Sequence, residues 1–350
     1  MKTIRLGTRP SALALWQANW TRAALEKIGV DVEIVKITTS GDVNRTEAIA
    51  NIGAQGVFTK EIQRALLNDE IDVAAHSLKD LPVEKIPGLR LTAVPEREDV
   101  RDVFVSNKYA TIDELPEGAV LGTSSMRRRS MALRYASKKF PDAGRPAWDV
   151  RDIRGNVETR LRKLDEGEYD AIILASAGLT RLGLADRARS YLESPDFLPA
   201  VGQGALGLET REDDAETIEA LEKLIEPGAF LSALAERALL AELQGGCLVP
   251  IGARGRLIQA DGDVEILALE AQILSFDGLQ SYSTTSIQIL DPGKFDGSLP
   301  FETQRGLAEL LGKGAAQTLL DQGAGELVEE IRRVRDERNE KLRKKNAESR

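Results

Sequence analysis

Cysteine and histidine are almost absent from this chain of 350 residues, which has one of each. One cysteine forbids an intramolecular disulfide, and a lone Cys with a lone His removes the clusters most zinc sites use. No metal site is expected, and a reducing compartment is the natural setting. Aromatic residues are scarce at 5%, which leaves few rings for a base-stacking nucleic-acid platform. No stretch approaches the roughly 18 consecutive apolar residues that a spanning helix needs. The opening MKTIRLGTRP has neither the apolar core of a secretory signal nor a transit-like leader. These gaps predict no export, no membrane insertion and a cytoplasmic location.

What is present is ordinary in bulk. Lys and Arg number 47 against 56 Asp and Glu, a net charge of −9, with 29% charged and 42% hydrophobic residues. That balance fits a soluble globular protein and excludes whole-chain disorder and collagen. At roughly 150 residues per domain, two or three domains are expected.

From residue 3 to about 210, short β-rich runs alternate with helical patterns. The runs are Thr3 to Thr8, Val32 to Thr38, Ile71 to Ala75, Leu89 to Val94, Val103 to Ser106, Val120 to Gly122 and Ala171 to Ala175. Such alternation reads as α/β with mostly parallel sheet. Leu13, Trp16, Gln17, Trp20, Ala24 and Ile28 share one helical face, read as a core stripe, as do Phe58, Ile62, Ala65 and Leu66. One sheet and two lobes fit equally well; with two, the polar stretch Arg97 to Asp102 is the crossover. After about residue 226, a helix from Phe230 to Leu243 precedes strands at Gly252 to Ile258, Val264 to Ile273 and Ser281 to Ile289. A helical pattern from Thr303 to Gln322 then completes a smaller α+β unit.

The charge is unevenly distributed. Residues 120–165 hold twelve Lys or Arg against five acids, a balance of 12 − 5 = +7 inside a chain of −9. Gly122-Thr-Ser-Ser-Met-Arg-Arg-Arg129 follows a short strand and opens a helix that Ser124 or Ser125 can cap, leaving free N–H groups for an anion with Arg127 and Arg128 beside them. Arg154-Gly-Asn-Val-Glu-Thr-Arg160 repeats the scheme. The ordinary alternative is a solvated charged face; placement at strand-to-helix turns, where α/β folds bind ligands, favours a site.

In Ile71-Asp-Val-Ala-Ala-His-Ser-Leu-Lys-Asp-Leu-Pro82 a strand ends in a polar cluster. Asp80 there could offset a developing cation or accept a proton, and Lys79 could form a Schiff base, or the two could simply pair across a turn. His76 reads as structural. Cys247 follows two glycines and is either an approachable nucleophile or a small buried hydrophobe. Gly202-Gln-Gly-Ala-Leu-Gly207 matches a dinucleotide fingerprint, but Pro199 precedes it and a strand pattern follows, so NAD binding is not expected.

Taken together, six segments in order resemble the porphobilinogen deaminase (hydroxymethylbilane synthase) family. They are Gly7-Thr-Arg-Pro-Ser-Ala-Leu-Ala-Leu-Trp-Gln17, His76 to Pro82, Gly122 to Arg128, Arg154 to Arg160, Pro199-Ala-Val-Gly-Gln-Gly-Ala205 and Gly245-Gly-Cys-Leu-Val-Pro-Ile-Gly252. The resemblance implies two periplasmic-binding-protein-like (type II) α/β lobes around a cleft and a small C-terminal α+β domain. Residues 1–100 with about 203–225 would form the first lobe, 101–202 the second, Arg-rich lobe, and 226–330 the cofactor-attachment domain. Residues 331–350 would be a charged tail, frayed or disordered.

The implied enzyme is a transferase of tetrapyrrole biosynthesis. It joins four porphobilinogen units head to tail, releases ammonia at each step and hydrolyses off linear hydroxymethylbilane. The implied cofactor is a dipyrromethane held by a thioether to Cys247. Asp80 resembles the family's catalytic carboxylate. Arg9, Ser11, Lys79, Ser125, Arg127, Arg128, Arg154, Arg160 and Arg181 resemble its carboxylate-binding residues, with Gln17, Ser77, Thr123 and Gln203 also assigned to binding and Phe58 to a candidate lid. Each pyrrole bears an acetate and a propionate, so the growing chain is a polyanion that suits the +7 island. Gln55 stands where the family often has a lysine. Porphobilinogen is the expected partner of a monomer that binds neither nucleic acid nor membrane. Two rivals remain at this stage: a two-lobed anion-binding protein without chemistry, and a nucleic-acid module using residues 127–163, which would show steep salt dependence.

Overall fold

In a computed structural model, which describes residues 2–39, 59–143, 146–243, 249–260, 264–291, 299–334 and 337, the chain forms two α/β lobes and a C-terminal α+β domain. Strands β1 (Ile4–Thr8), β2 (Val32–Lys36), β3 (Val73–Ser77), β4 (Leu89–Ala93) and β10 (Leu206–Arg211) make the first sheet, in the order β2-β1-β3-β10-β4. Strands β5 (Asp102–Val105), β6 (Val120–Gly122), β7 (Asp149–Arg151), β8 (Ala171–Ala175) and β9 (Ser190–Leu192) make the second, in the equivalent order β7-β6-β8-β5-β9. The first four residues of both β3 and β8 are buried, as befits interior strands of sheets covered on both faces.

Each sheet is mostly parallel, with one antiparallel strand among its five. β1 pairs parallel with β2 and β3, and β6 with β7 and β8, whereas β10 and β5 run antiparallel to both of their neighbours. The cause is topological. β5 and β10 are the first strands after the chain passes from one lobe to the other, over residues 94–101 and 193–205, and each enters its new sheet against the local direction. The two crossings touch: the Glu98 N–H donates to the Gly204 carbonyl at 3.2 Å. Gly204 has φ +82°, and a Cβ there would lie 2.4 Å from the Glu98 carbonyl oxygen, so only glycine permits this approach.

Helices α1 (Ala12–Glu26), α2 (Lys60–Leu67), α3 (Met126–Lys139), α4 (Val157–Asp165), α5 (Ser176–Arg181) and α6 (Ala215–Glu222) belong to the two lobes. The buried stripe of α1 is Gln17, Ala18, Thr21 and Leu25, not the Trp/Ile face expected from the sequence. Trp16 and Ile28 are 36% and 38% exposed. Ile28 lies beyond the helix end, and Trp16 faces a cation of the other lobe, as described below.

The third unit packs α7 (Pro227–Glu242) and α8 (Phe301–Leu319) on an antiparallel sheet of β11 (Ile251–Ala260), β12 (Val264–Leu274) and β13 (Ser281–Asp291). Leu231, Leu239, Leu267, Leu269, Ile273 and Leu319 centre its core. It braces both lobes. Ala229, Phe230 and Ala233 of α7 pack with Leu78 and Leu81, and Leu274 joins the core of the second lobe. The expected start of a frayed tail at residue 331 is corrected. After a kink at Gly323 (φ +107°) the chain is helical over 325–334, and Ile331 is buried against Leu327 and Val328 because these apolar positions share one face.

Candidate active site

Three strand-to-helix turns carry helix N-termini capped by side chains. Ser11 caps α1 by accepting the Ala14 N–H at 3.3 Å, Ser125 caps α3 by accepting that of Arg128 at 3.4 Å, and Asn156 caps α4 by accepting that of Thr159 at 2.9 Å. In each case a short polar side chain satisfies one first-turn donor and leaves others free, with the positive helix pole facing out. Thr123 accepts the Ser125 N–H at 3.2 Å, and Ser124 donates to the Ile153 carbonyl at 2.7 Å, which ties the α3 turn to the end of β7.

At the end of β3 a single 3-10 turn, Leu78–Asp80, presents Lys79 and Asp80. Gln17 donates to the Ser77 hydroxyl at 2.7 Å, fixing the strand end from α1. Lys79 is accessible to solvent yet walled in by surrounding protein, as a side chain on a cleft surface is. Loss of bulk water and the charge of Arg128 push its ammonium down to about 8, with Asp80 and Asp102 opposing. Arg160, half-buried, is pushed down to about 10, mainly by desolvation and next by Arg128, with Asp80 opposing. Lys79, Asp80, Arg128 and Arg160 therefore feel one another across the lobes.

Beneath them lies a buried ion cluster. Asp102, fully buried at the start of β5, accepts from Arg127 Nη1 at 2.7 Å and from Arg128 Nη2 and Nε at 2.7 and 3.1 Å. Burial works to raise the Asp102 pKa, but the two guanidiniums overcome it and hold the carboxyl well below the usual range. Arg127 also donates to the Leu198 carbonyl at 2.5 Å, and its Nε is buried without a hydrogen-bond partner. Arg127 and Arg128 are buried alike, at 4% and 6% exposed, and Arg128 Nη1 also donates to the Ile173 carbonyl at 3.1 Å. Gln203 belongs to the same layer: its amide donates to the Val100 carbonyl at 2.7 Å and to Asp102 at 2.8 Å.

The other expected residues sit at the margins. Arg154 is within 3.4 Å of Asp152, and Arg9 is half-buried at the end of β1. Arg181, 8% exposed, donates to the Gly204 carbonyl at 2.6 Å and lies 5.5 Å from the centre of the Trp16 ring, so it touches the opposite lobe and a crossing. Cys247, Gln55 and Phe58 lie outside the described residues. Sequence reasoning missed Asp102, Arg97 and Glu236. The wholly buried Glu236 carboxylate takes Arg97 at 2.8 and 3.0 Å and the N–H groups of Gly202 and Gly255 at 2.7 Å each, binding both crossings to the third domain. The one available signal was the unusual density of charge in Arg97 to Asp102.

Two family models match this chain: "Porphobilinogen deaminase, dipyromethane cofactor binding domain" over residues 4–219, and "Porphobilinogen deaminase, C-terminal domain" over residues 230–321. The chain belongs to the porphobilinogen deaminase family. It is thereby a transferase of tetrapyrrole biosynthesis, EC 2.5.1.61, that polymerises porphobilinogen into hydroxymethylbilane and uses a dipyrromethane cofactor. Solved structures overlap mainly in part of the chain. A periplasmic substrate-binding protein of an ABC transporter from Coxiella burnetii is 14% identical, with a TM-score of 0.38, covering 67% of this chain and 97% of its own. A lipoprotein from Treponema pallidum is also 14% identical, with a TM-score of 0.40, covering 63% and 90%. Among the described residues of this porphobilinogen deaminase, no helix is long and apolar enough to cross a membrane, and no group of three His, Cys, Asp or Glu is placed to hold a metal ion.

The residues present fit a dipyrromethane. Its two pyrroles carry carboxylates, and the chain offers Lys79, Arg128 and Arg160 with three capped helix N-termini. Arg181, buried with its Nε unpartnered, adds unused donor capacity nearby.

Proposed function

We propose that Asp80 is the catalytic carboxylate of the porphobilinogen polymerisation, that Cys247 carries the dipyrromethane by a thioether, and that the cations of the cleft hold the carboxylates of cofactor and growing chain. The observation that carries this reading is the meeting of Asp80 with Lys79, Arg128 and Arg160 from both lobes. The bound cofactor supplies the free pyrrole carbon from which the chain grows. Lys79, mostly protonated at neutral pH, and the guanidiniums of Arg160 and Arg128 pair with acetates and propionates and orient each pyrrole. Arg9, Ser11, Ser125, Arg127, Arg154 and Arg181 extend that grip, and Gln17, Ser77, Thr123 and Gln203 serve by holding the primary donors in place.

Asp80 acts where positive charge develops. Ammonia leaves the aminomethyl group of the incoming porphobilinogen, and the pyrrole nitrogen then bears a share of the cationic charge. An adjacent carboxylate steadies that charge and takes up or returns a proton near the reacting carbon. The domain limits that go with this reading are 1–100 with about 203–225, 101–202, and 226 to at least Ile331. The protein is proposed to act as a cytoplasmic monomer with porphobilinogen as its partner and with neither nucleic acid nor membrane. The test is the intact mass of the protein after incubation with porphobilinogen, compared with Cys247→Ala. An excess equal to a dipyrromethane, absent from the variant, is expected; an adduct that persists in Cys247→Ala overturns the attachment, and no adduct in either overturns the reading.

A further inference from the structure

We infer that Arg237, on α7, is a positioning residue that sets the turn carrying Asp80. The inference rests on the site reading above. Arg237 lies on α7 and extends across to the first lobe, where Nη1 donates to the Leu81 carbonyl at 2.9 Å and Nη2 to the Pro82 carbonyl at 2.7 Å. These are the two carbonyls that immediately follow Asp80. A fork on two successive carbonyls fixes both the position and the rotation of the turn, which a single contact could not do. The turn itself is closed by the Leu81 N–H donating to Leu78 at 3.1 Å, and Pro82 restricts the exit of the chain.

The platform from which Arg237 extends is itself immobilised. Its neighbour Glu236 is clamped by Arg97, Gly202 and Gly255, so α7 is tied to both crossings and to β11. α7 ends at Glu242, five residues before Cys247 by subtraction of the two positions. Stability alone does not require the cation, because Ala229, Phe230 and Ala233 of the same helix already pack on Leu78 and Leu81. Desolvation pushes the Arg237 pKa down to about 10, with Glu209 opposing, so the group is charged and its burial carries a cost that packing does not explain.

The test uses holoenzyme whose cofactor content is verified by mass. Arg237→Met keeps an apolar stem and removes the donors; Arg237→Lys keeps a donor but loses the fork. For Arg237→Met we expect kcat to fall about 10- to 100-fold with KM within about threefold of the parent, since a misplacement near 1 Å costs on that order. Arg237→Lys should recover part of the loss, and it carries the test alone if Arg237→Met does not fold. A kcat per holoenzyme within twofold of the parent in both variants overturns the role. In the double variant with Asp80→Asn, the Arg237→Met loss should largely disappear, because one residue acts through the other. Full additivity overturns the positioning role alone, whereas an Asp80→Asn protein with parental turnover overturns the site reading.

Discussion

Asp102 binds Arg128 side-on, one carboxylate oxygen taking both Nε and Nη2 at 3.1 and 2.7 Å, while its second oxygen takes Arg127 at 2.7 Å. One buried anion thus holds two buried cations and leaves a net positive charge under the cleft. Asp102→Asn should strand both guanidiniums and lower stability by about 3–5 kcal/mol, the usual cost of breaking a buried pair from one side. Urea unfolding measures this. A loss below about 1 kcal/mol would show that the cations find other partners.

Asp80 is exposed, so Asp80→Asn should leave the melting temperature and the attached cofactor unchanged. Turnover should fall about 10²- to 10⁴-fold, the range for losing a positioned acid–base or charge-stabilising group. Steady-state kinetics on mass-verified protein decides it, and activity within a few-fold of the parent would remove Asp80 from the chemistry.

Lys79 gives a pH dependence with a definite sign. Its folded pKa, about 8, lies below the ordinary lysine value of 10.5. The cation is fully present below pH 8 and is lost as pH rises through that value, so kcat/KM for the anionic substrate should decline on this limb. Lys79→Arg, charged throughout, should move the decline to higher pH. An unchanged profile in the variant would assign the limb elsewhere. For stability the sign is opposite: between pH 8 and 10.5 the unfolded chain binds more protons, so stability rises with pH across that window.

Acid should act through Asp72. Its side chain is buried at the end of the first sheet, where burial tends to raise its pKa but Arg5 at 2.8 and 3.0 Å, Arg211 at 3.0 Å and Lys2 at 3.2 Å hold it well below the carboxylate range. The stabilisation is present above the unfolded pKa near 3.8 and is lost as pH falls below it. Asp72→Asn should cost on the order of 2 kcal/mol at pH 6 and flatten the loss of stability between pH 4 and 2. Denaturant midpoints across that range test it; parallel curves for parent and variant would refute it.

The lobes were legible because their strands are short continuous apolar runs bounded by turn residues, and the anion-binding turns because Ser125 and Asn156 are strong helix caps. What stayed hidden depends on pairing across distance. Arg97 and Glu236 are 139 residues apart and Asp102 and Arg128 are 26 apart, so no local pattern announces them. The α1 face was misread for a physical reason: Trp16 looks like core by hydrophobicity, yet an indole can serve at an exposed rim against a guanidinium, and Gln17 is buried to bond Ser77. Arg127, Arg128 and Gln203 were recognisable as candidate site residues, but not as buried partners of Asp102, because depth below a surface has no sequence signature.

The late arrival of β10 has a consequence for biogenesis. The second sheet is drawn from one uninterrupted stretch, 102–192, whereas the first awaits a strand at 206–211 that inserts between β3 and β4. During synthesis the N-terminal lobe, although made first, has two open strand edges until the whole of its neighbour has emerged. The first sheet can therefore be completed only after every strand of the second has been synthesised. The segment that closes the early lobe is also the one that has just traversed Gly202 and Gly204, so an error in the second crossing leaves the first-made half of the molecule unfinished.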